Sequence, residues 1–235
     1  MKFFLPFLLN LLVPVAALPQ AQAFRNFIIA ANSPTNPRSP KEAFIALGGE
    51  ERFASASWES GFVITLDLKK IQEGYLFNFD FANHDLYLRS PKEQQDIVVD
   101  KKGLHSFSLL IEKDTLTFVR SRAIDPSGKT FFQFIAGDPR GKAVLLLQKE
   151  VREIPINKND YLRNFNGDYT PHFRNTMTWH VLDARLGLHS FKHLGKKELL
   201  SLYPEQMADI QGIFSRSKHL DKNMLRQIFD HLNKP

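Results

Sequence analysis

From Gly61 to about Leu147, apolar side chains recur at every second position. Tyr75, Phe77, Phe79 and Phe81 alternate with Leu76, Asn78 and Asp80, and Leu86 and Leu88 alternate with Asp85, Tyr87 and Arg89. Phe107, Leu109 and Ile111 keep the same period, as do Leu116 with Phe118 and Phe132 with Phe134. Side chains on a strand point to opposite faces in turn, so the period of two predicts strands with one apolar and one wet face. Turn residues part the runs at Ala82-Asn83, Ser90-Pro91-Lys92, Lys102-Gly103, Asp125 to Gly128 and Gly137 to Gly141. Such spacing predicts antiparallel meanders. Val144 to Leu147 is apolar without a break, which predicts a central strand covered on both faces. Beyond residue 150 the rhythm weakens. Tyr161 to Phe165, Thr178 to Leu182 and His189 to Leu194 read as further short strands of five to seven residues.

The period changes after Gly195. Tyr203, Met207, Ile210 and Phe214 share one helical face, and Pro204 suits a first helical position. Asp221 reads as an N-cap, and Leu225, Ile228, Phe229 and Leu232 as the buried stripe of a last helix. Short helices are marginal alone, so these must dock on each other or on the sheet. The expected fold is α+β: an antiparallel β meander sheet or half-open barrel over 58–194, with a helical cap over 195–235.

The first residues have a different logic. Lys2 is followed by an apolar run from Phe3 to Leu18, interrupted by Pro14, and by Ala21-Gln22-Ala23. This is the layout of a secretory signal peptide, cleaved after Ala23. The run is too short to span a bilayer, for which about 20 residues are needed. Residues 24–57 read as an extension that contains a proline-rich linker, Asn32 to Lys41. No later segment is long and apolar enough to cross a membrane as a helix. The product is expected in the periplasm or outside a bacterial cell.

Composition narrows the chemistry. The 235 residues hold 43% hydrophobic and 24% charged side chains, with 21 Phe, so a large core can be built. There is no Cys, which removes disulfides, thiolate metal sites and cysteine nucleophiles. The net charge of +6 is mild and dispersed.

The run Trp58-Glu59-Ser60-Gly61-Phe62-Val63-Ile64-Thr65-Leu66-Asp67 resembles the W-x-x-G-x-V-x-x-x-D-G opening of exported β-rich proteins from a large Gram-negative phylum. Their usual glycine after the aspartate is Leu68 here. The strands that follow, and the tail from Lys197 to Asn233, are also similar. The resemblance implies export and architecture, and it carries no activity.

Candidate chemistry is sparse. His189 and His193 flank Phe191, with His180 and His172 as further imidazoles, but no H-E-x-x-H frame for zinc exists. No G-x-S-x-G elbow presents a serine, although Ser, His and Asp are plentiful. Asp80, Asp85, Asp96 and Asp100 could pair as glycosidase carboxylates, yet they read equally as strand ends and turns. No phosphate-binding glycine loop occurs. No metal or cofactor is expected. The densest basic stretch runs through Arg140, Lys142, Lys149, Arg152, Lys158, Arg163 and Arg174, interleaved with Tyr161, Phe165 and Phe173. Arg140, Lys142, Arg152, Tyr161, Arg163 and Arg174 are the candidate ligand contacts, provided they gather on one face. An exported protein has little occasion to meet nucleic acid, so an envelope protein or anionic polymer is the expected partner. The leading expectation is a non-enzymatic envelope protein. An envelope hydrolase with dispersed catalytic residues and a polyanion-binding module are its alternatives.

Overall fold

A computed structural model describes residues 52–72, 74–90, 96–154, 172–215 and 220–234. The described strands are β1 (Ser60–Thr65), β2 (Lys70–Ile71), β3 (Leu76–Asp80), β4 (Asp85–Arg89), β5 (Asp96–Val98), β6 (Leu104–Ile111), β7 (Asp114–Val119), β8 (Phe132–Gly137), β9 (Ala143–Ile154), β10 (His172–Asp183) and β11 (Gly187–Phe191). The helices are α1 (Lys196–Leu202), α2 (Met207–Phe214) and α3 (Lys222–Leu232). Eight strands form one open antiparallel sheet in the order β11-β10-β9-β8-β7-β6-β1-β2, and β3-β4-β5 form a second. The class is α+β, mainly an antiparallel meander, and the long sheet does not close into a barrel.

Register assigns the faces of the long sheet. Phe107 stands opposite Phe118 and Val63, and Leu145 stands opposite Val181. Directly paired residues point to the same side. These side chains mark the inner face, which is covered twice by different layers. At the β1–β6–β7 end, Val63, Phe107, Leu109 and Phe118 pack against Phe77, Phe79, Leu86 and Leu88 of the small sheet. At the β8–β9–β10 end, Ala136, Leu145 and Val181 pack against Leu199, Ile210, Leu225, Ile228 and Phe229 of the helices. Each fully buried residue of this size stabilises by about 1.5–3 kcal/mol relative to exposure.

The helical cap follows its sequence signals. Asp221 accepts the Met224 N–H at 2.8 Å, and Pro204 opens a short 3-10 turn. Leu225, Ile228, Phe229 and Leu232 are buried as the stripe requires. Asn233 then clamps the cap to the sheet. Its Oδ1 accepts the Lys142 and Ala143 N–H groups, and its Nδ2 donates to the Ala143 carbonyl at 2.8 Å.

Two sequence expectations need correction. One face of β3 was expected to be wet, yet Asn78 and Asp80 are as buried as Phe77 and Phe79. Residues 52–59 run beside β3 as an irregular partner, with Ala54 N–H on the Phe79 carbonyl and Phe81 N–H on the Arg52 carbonyl. Asn78 Nδ2 fills the gap where that segment swings out, donating to the Ser55 and Ser57 carbonyls at 2.8 and 3.0 Å. Asp80 receives both arms of Arg52, at 3.0 and 2.6 Å, together with the Ala82 N–H. A buried carboxylate is tolerable only with such pairing.

Strand length is the second correction. β9 and β10 each run for 12 residues, not five to seven. The second half of β9 pairs with the first half of β10, and there the outward positions are mostly polar and the apolar signal fades.

The resemblance segment becomes legible here. Gly61 has no room for a side chain, because a Cβ would lie 2.4 Å from the Ser108 carbonyl oxygen. Val63 is fully buried, and the Arg89 guanidinium lies 4.2 Å over the Trp58 ring. These residues set strand packing.

Candidate functional site

The outer face of β9, β10 and β11 carries side chains from three rigid strands. β9 contributes Gln148, Glu150 and Arg152, and β10 contributes Arg174, Thr176, Thr178 and His180. Register places Arg174 opposite Arg152, Thr176 opposite Glu150, Thr178 opposite Gln148, and Ser190 of β11 opposite His180. Phe132, Val144 and Leu146 fill the neighbouring part of this face under Ile124 of the β7–β8 loop. Asp125 holds that loop together by accepting from the Ser127 hydroxyl and from the Ser127, Lys129 and Thr130 N–H groups. Those bonds keep its carboxyl well below the usual range, led by the Ser127 hydroxyl.

A hydrogen-bonded row crosses the three strands. The Arg152 guanidinium donates to Glu150 Oε2 at 2.9 Å, and Gln148 Nε2 donates to Glu150 Oε1 at 2.7 Å. His180 Nε2 lies 2.9 Å from Gln148 Oε1, and His180 Nδ1 lies 2.9 Å from Ser190 Oγ. The direction of every bond follows from one end. An ionised carboxylate can only accept, so the Gln148 amide turns its NH2 to Glu150 and its oxygen to His180. His180 must then carry its proton on Nε2, which leaves Nδ1 to accept the Ser190 hydroxyl. Burial holds the His180 pKa below its ordinary value, so the ring is neutral near pH 7.

Ser190 and His180 have the separation of a nucleophile and its base. Their surroundings are those of a cross-strand ladder. The recess next to β11, about 330 Å³, is lined by His189, Phe191, Lys197, Glu198, Ser201 and Leu202, on the face opposite Ser190. Other groups with displaced pKa values are scattered through the packing. Burial lowers His84 and raises Tyr87 and Tyr203, and Tyr203 donates its hydroxyl to Asp183. None of these lies on the β9–β11 outer face.

The sequence candidates divide. Arg152 and Arg174 come together as direct cross-strand neighbours. Arg140 and Lys142 sit at the other end of β9, about 30 Å or more away at strand rise. There Arg140 lies in an exposed turn, its N–H on Asp138, and Lys142 Nζ donates to the Lys234 carbonyl at 2.5 Å. Tyr161 and Arg163 lie outside the described residues. The stretch therefore does not form one continuous basic face among the described residues. His189 Nε2 is 3.0 Å from the Leu186 carbonyl oxygen, and no group of three His, Asp or Glu that could hold a metal occurs among the described residues.

Gln148, Glu150, Thr176, Thr178 and Ser190 were not singled out in the sequence. Their signal was present as polar residues at every second position on either side of residues 155–171, which become legible as a ladder once both strands are paired. The aromatic residues of the two sheets serve packing: Phe77 and Phe79 are fully buried, and Trp179 packs against the helical cluster.

Comparison with family models, curated proteins and solved structures gave no match.

Proposed function

We propose that this chain is an exported, non-enzymatic cell-envelope protein that binds a partner through the outer face of β9–β11. The observation that carries the reading is the ladder itself. Hydrogen-bonding side chains from three strands are held in fixed orientations, and Arg152, Arg174, Thr176 and Ser190 are exposed at its surface. A site on strands positions its groups more closely than one on loops. The displaced pKa values elsewhere are explained by packing, and the recess beside β11 opens on the other face, so binding fits this geometry better than group transfer. Among the described residues no helix is long and apolar enough to cross a membrane.

Two measurements test the reading. Expression of the full chain in a Gram-negative host should yield a periplasmic product that begins at Phe24; a cytosolic product that retains Met1 would overturn export. A photo-crosslinking residue at Thr176 should give a discrete envelope adduct that the same residue at Gln211, on α2, does not. Equal adducts at both positions, or none at Thr176, would overturn this face as the binding surface.

A further inference from the structure

Arg152 and Arg174 are directly opposed across β9 and β10. In an antiparallel pair this brings Cα atoms to about 4.5–5.5 Å, and like charges so placed are unfavourable. One carboxylate, Glu150, partly offsets them, but it is bound to Arg152 and also receives Gln148. Arg174 has no ion pair or hydrogen bond among the described residues, and both guanidiniums are exposed. Two exposed planar donor forks are therefore served by one carboxylate, on the next rung, among the described residues. A second carboxylate would complete the set, because a guanidinium fork matches the two oxygens of a carboxylate.

The next rungs specify more than charge. Beyond the arginine pair come Thr176 opposite Glu150 and Thr178 opposite Gln148. Hydroxyls, an amide and a carboxylate here can exchange hydrogen bonds with a chain of hydroxyl groups. Ile154 lies one outward step past Arg152 and is 39% exposed, an apolar contact for a ring face. A polyphosphate sets its charges closely, with no hydroxyls between them, and would bring them against Glu150. A chain with one carboxylate per unit and hydroxyls between fits the alternation.

We propose that the Arg152–Arg174 pair and the Thr176/Glu150 and Thr178/Gln148 rungs form a binding site for an acidic polysaccharide. The pair holds a uronate carboxylate, and the rungs hold the sugar hydroxyls. The site rests on the binding reading above and gives it a ligand class.

Affinity electrophoresis of the full chain in gels containing polygalacturonate, dextran or polyphosphate tests the site. The expected result is retardation by polygalacturonate, weakened by salt, with little by dextran or polyphosphate. Arg174→Gln should weaken that retardation about tenfold, the effect of one lost charge-assisted contact. Thr178→Val should weaken it less. Arg140→Gln, at the far end of β9, should leave it unchanged. Three results would overturn the site: no retardation of the parent protein, equal retardation by polyphosphate, or an equal loss in Arg140→Gln. Any of these can occur while the Thr176 crosslink persists, in which case the partner is not an acidic glycan and the binding face stands.

Discussion

Under the β6–β7 end of the long sheet, phenylalanine rings meet from four separate parts of the chain. Phe79 lies 5.2 Å from Phe81, 5.0 Å from Phe107, 4.9 Å from Phe118 and 6.0 Å from Phe131. Under the β8–β10 end the cover is mostly aliphatic and comes from three helices that are neighbours in sequence, α1, α2 and α3. The first layer depends on contacts distant in sequence, and its small sheet gains its remaining edge from residues 52–59. The second layer depends on local helical signals and one terminal clamp. The same sheet face is thus closed by one layer that must assemble with the sheet and by another that can fold locally and dock.

The widest separation between the layers should come from Phe79→Ala. Loss of a ring at the centre of the aromatic cluster should cost about 3–5 kcal/mol. Denaturant unfolding followed by far-UV circular dichroism should show one transition at a much lower midpoint, because β3 and the long sheet lose their shared core together. A biphasic curve in which the sheet survives would show that the layers are independent.

Asn233→Ala should act on the other layer and more gently. It removes acceptance from two backbone N–H groups and a donation to the Ala143 carbonyl. Net hydrogen-bond contributions of about 0.5–1.5 kcal/mol each suggest a loss of about 1–3 kcal/mol. Hydrogen exchange should quicken in α3 and leave β6 and β7 protected. Uniform quickening would mean that the cap has no opening of its own.

Legibility in sequence follows the same division. The cap was readable because the period of 3.6, Pro204 and the Asp221 cap are local. The small sheet was not, because nothing in Asn78 or Asp80 shows that Arg52 and Ser55 will cover them. Alternation identified the strands but not the break between β2 and β6 where three of them leave the meander. At the candidate site, Arg152 and Arg174 were legible as charges, while their opposition depends on a register set across residues 155–171. The Arg140 end was grouped with them only because sequence distance hides the length of a strand.

Acid should separate the layers by a smaller margin. His84 lies under Phe79, with ring centroids 5.9 Å apart, and Phe131 N–H faces its Nδ1 at 3.4 Å. Burial, and then Lys101, hold its pKa below the ordinary value. The unfolded ring takes its proton near pH 6.5 and the folded ring at lower pH. Its contribution is therefore complete above about pH 6.5 and is lost as pH falls through the depressed folded value. His180 behaves in the same sense in the outer ladder. Unfolding midpoints should fall between about pH 7 and pH 5, and His84→Gln should flatten that fall. An unchanged slope in both His84→Gln and His180→Gln would assign the acid sensitivity to carboxylates instead.

The smallest expected effect lies at the turn from β1 to β2, outside both layers. Thr65 N–H donates to the Lys69 carbonyl and Leu68 N–H to the Thr65 carbonyl, each at 3.0 Å. This closes a tight loop that needs a left-handed residue at its fourth position, and Leu68 sits there with φ 60°. That conformation costs a residue with a Cβ about 1–2 kcal/mol and costs glycine almost nothing. The Leu68 side chain is 63% exposed, so its removal sacrifices little burial. Glycine also frees the unfolded chain, which offsets part of the gain by about 0.5–1 kcal/mol. Leu68→Gly should therefore stabilise by up to about 1 kcal/mol and raise Tm by a few degrees, about 2–4 °C at most. Leu68→Ala keeps the strained backbone and loses the side chain, so it should not stabilise. A gain in both variants would assign the effect to the exposed side chain, whereas a gain in glycine alone would identify the backbone as the strained part.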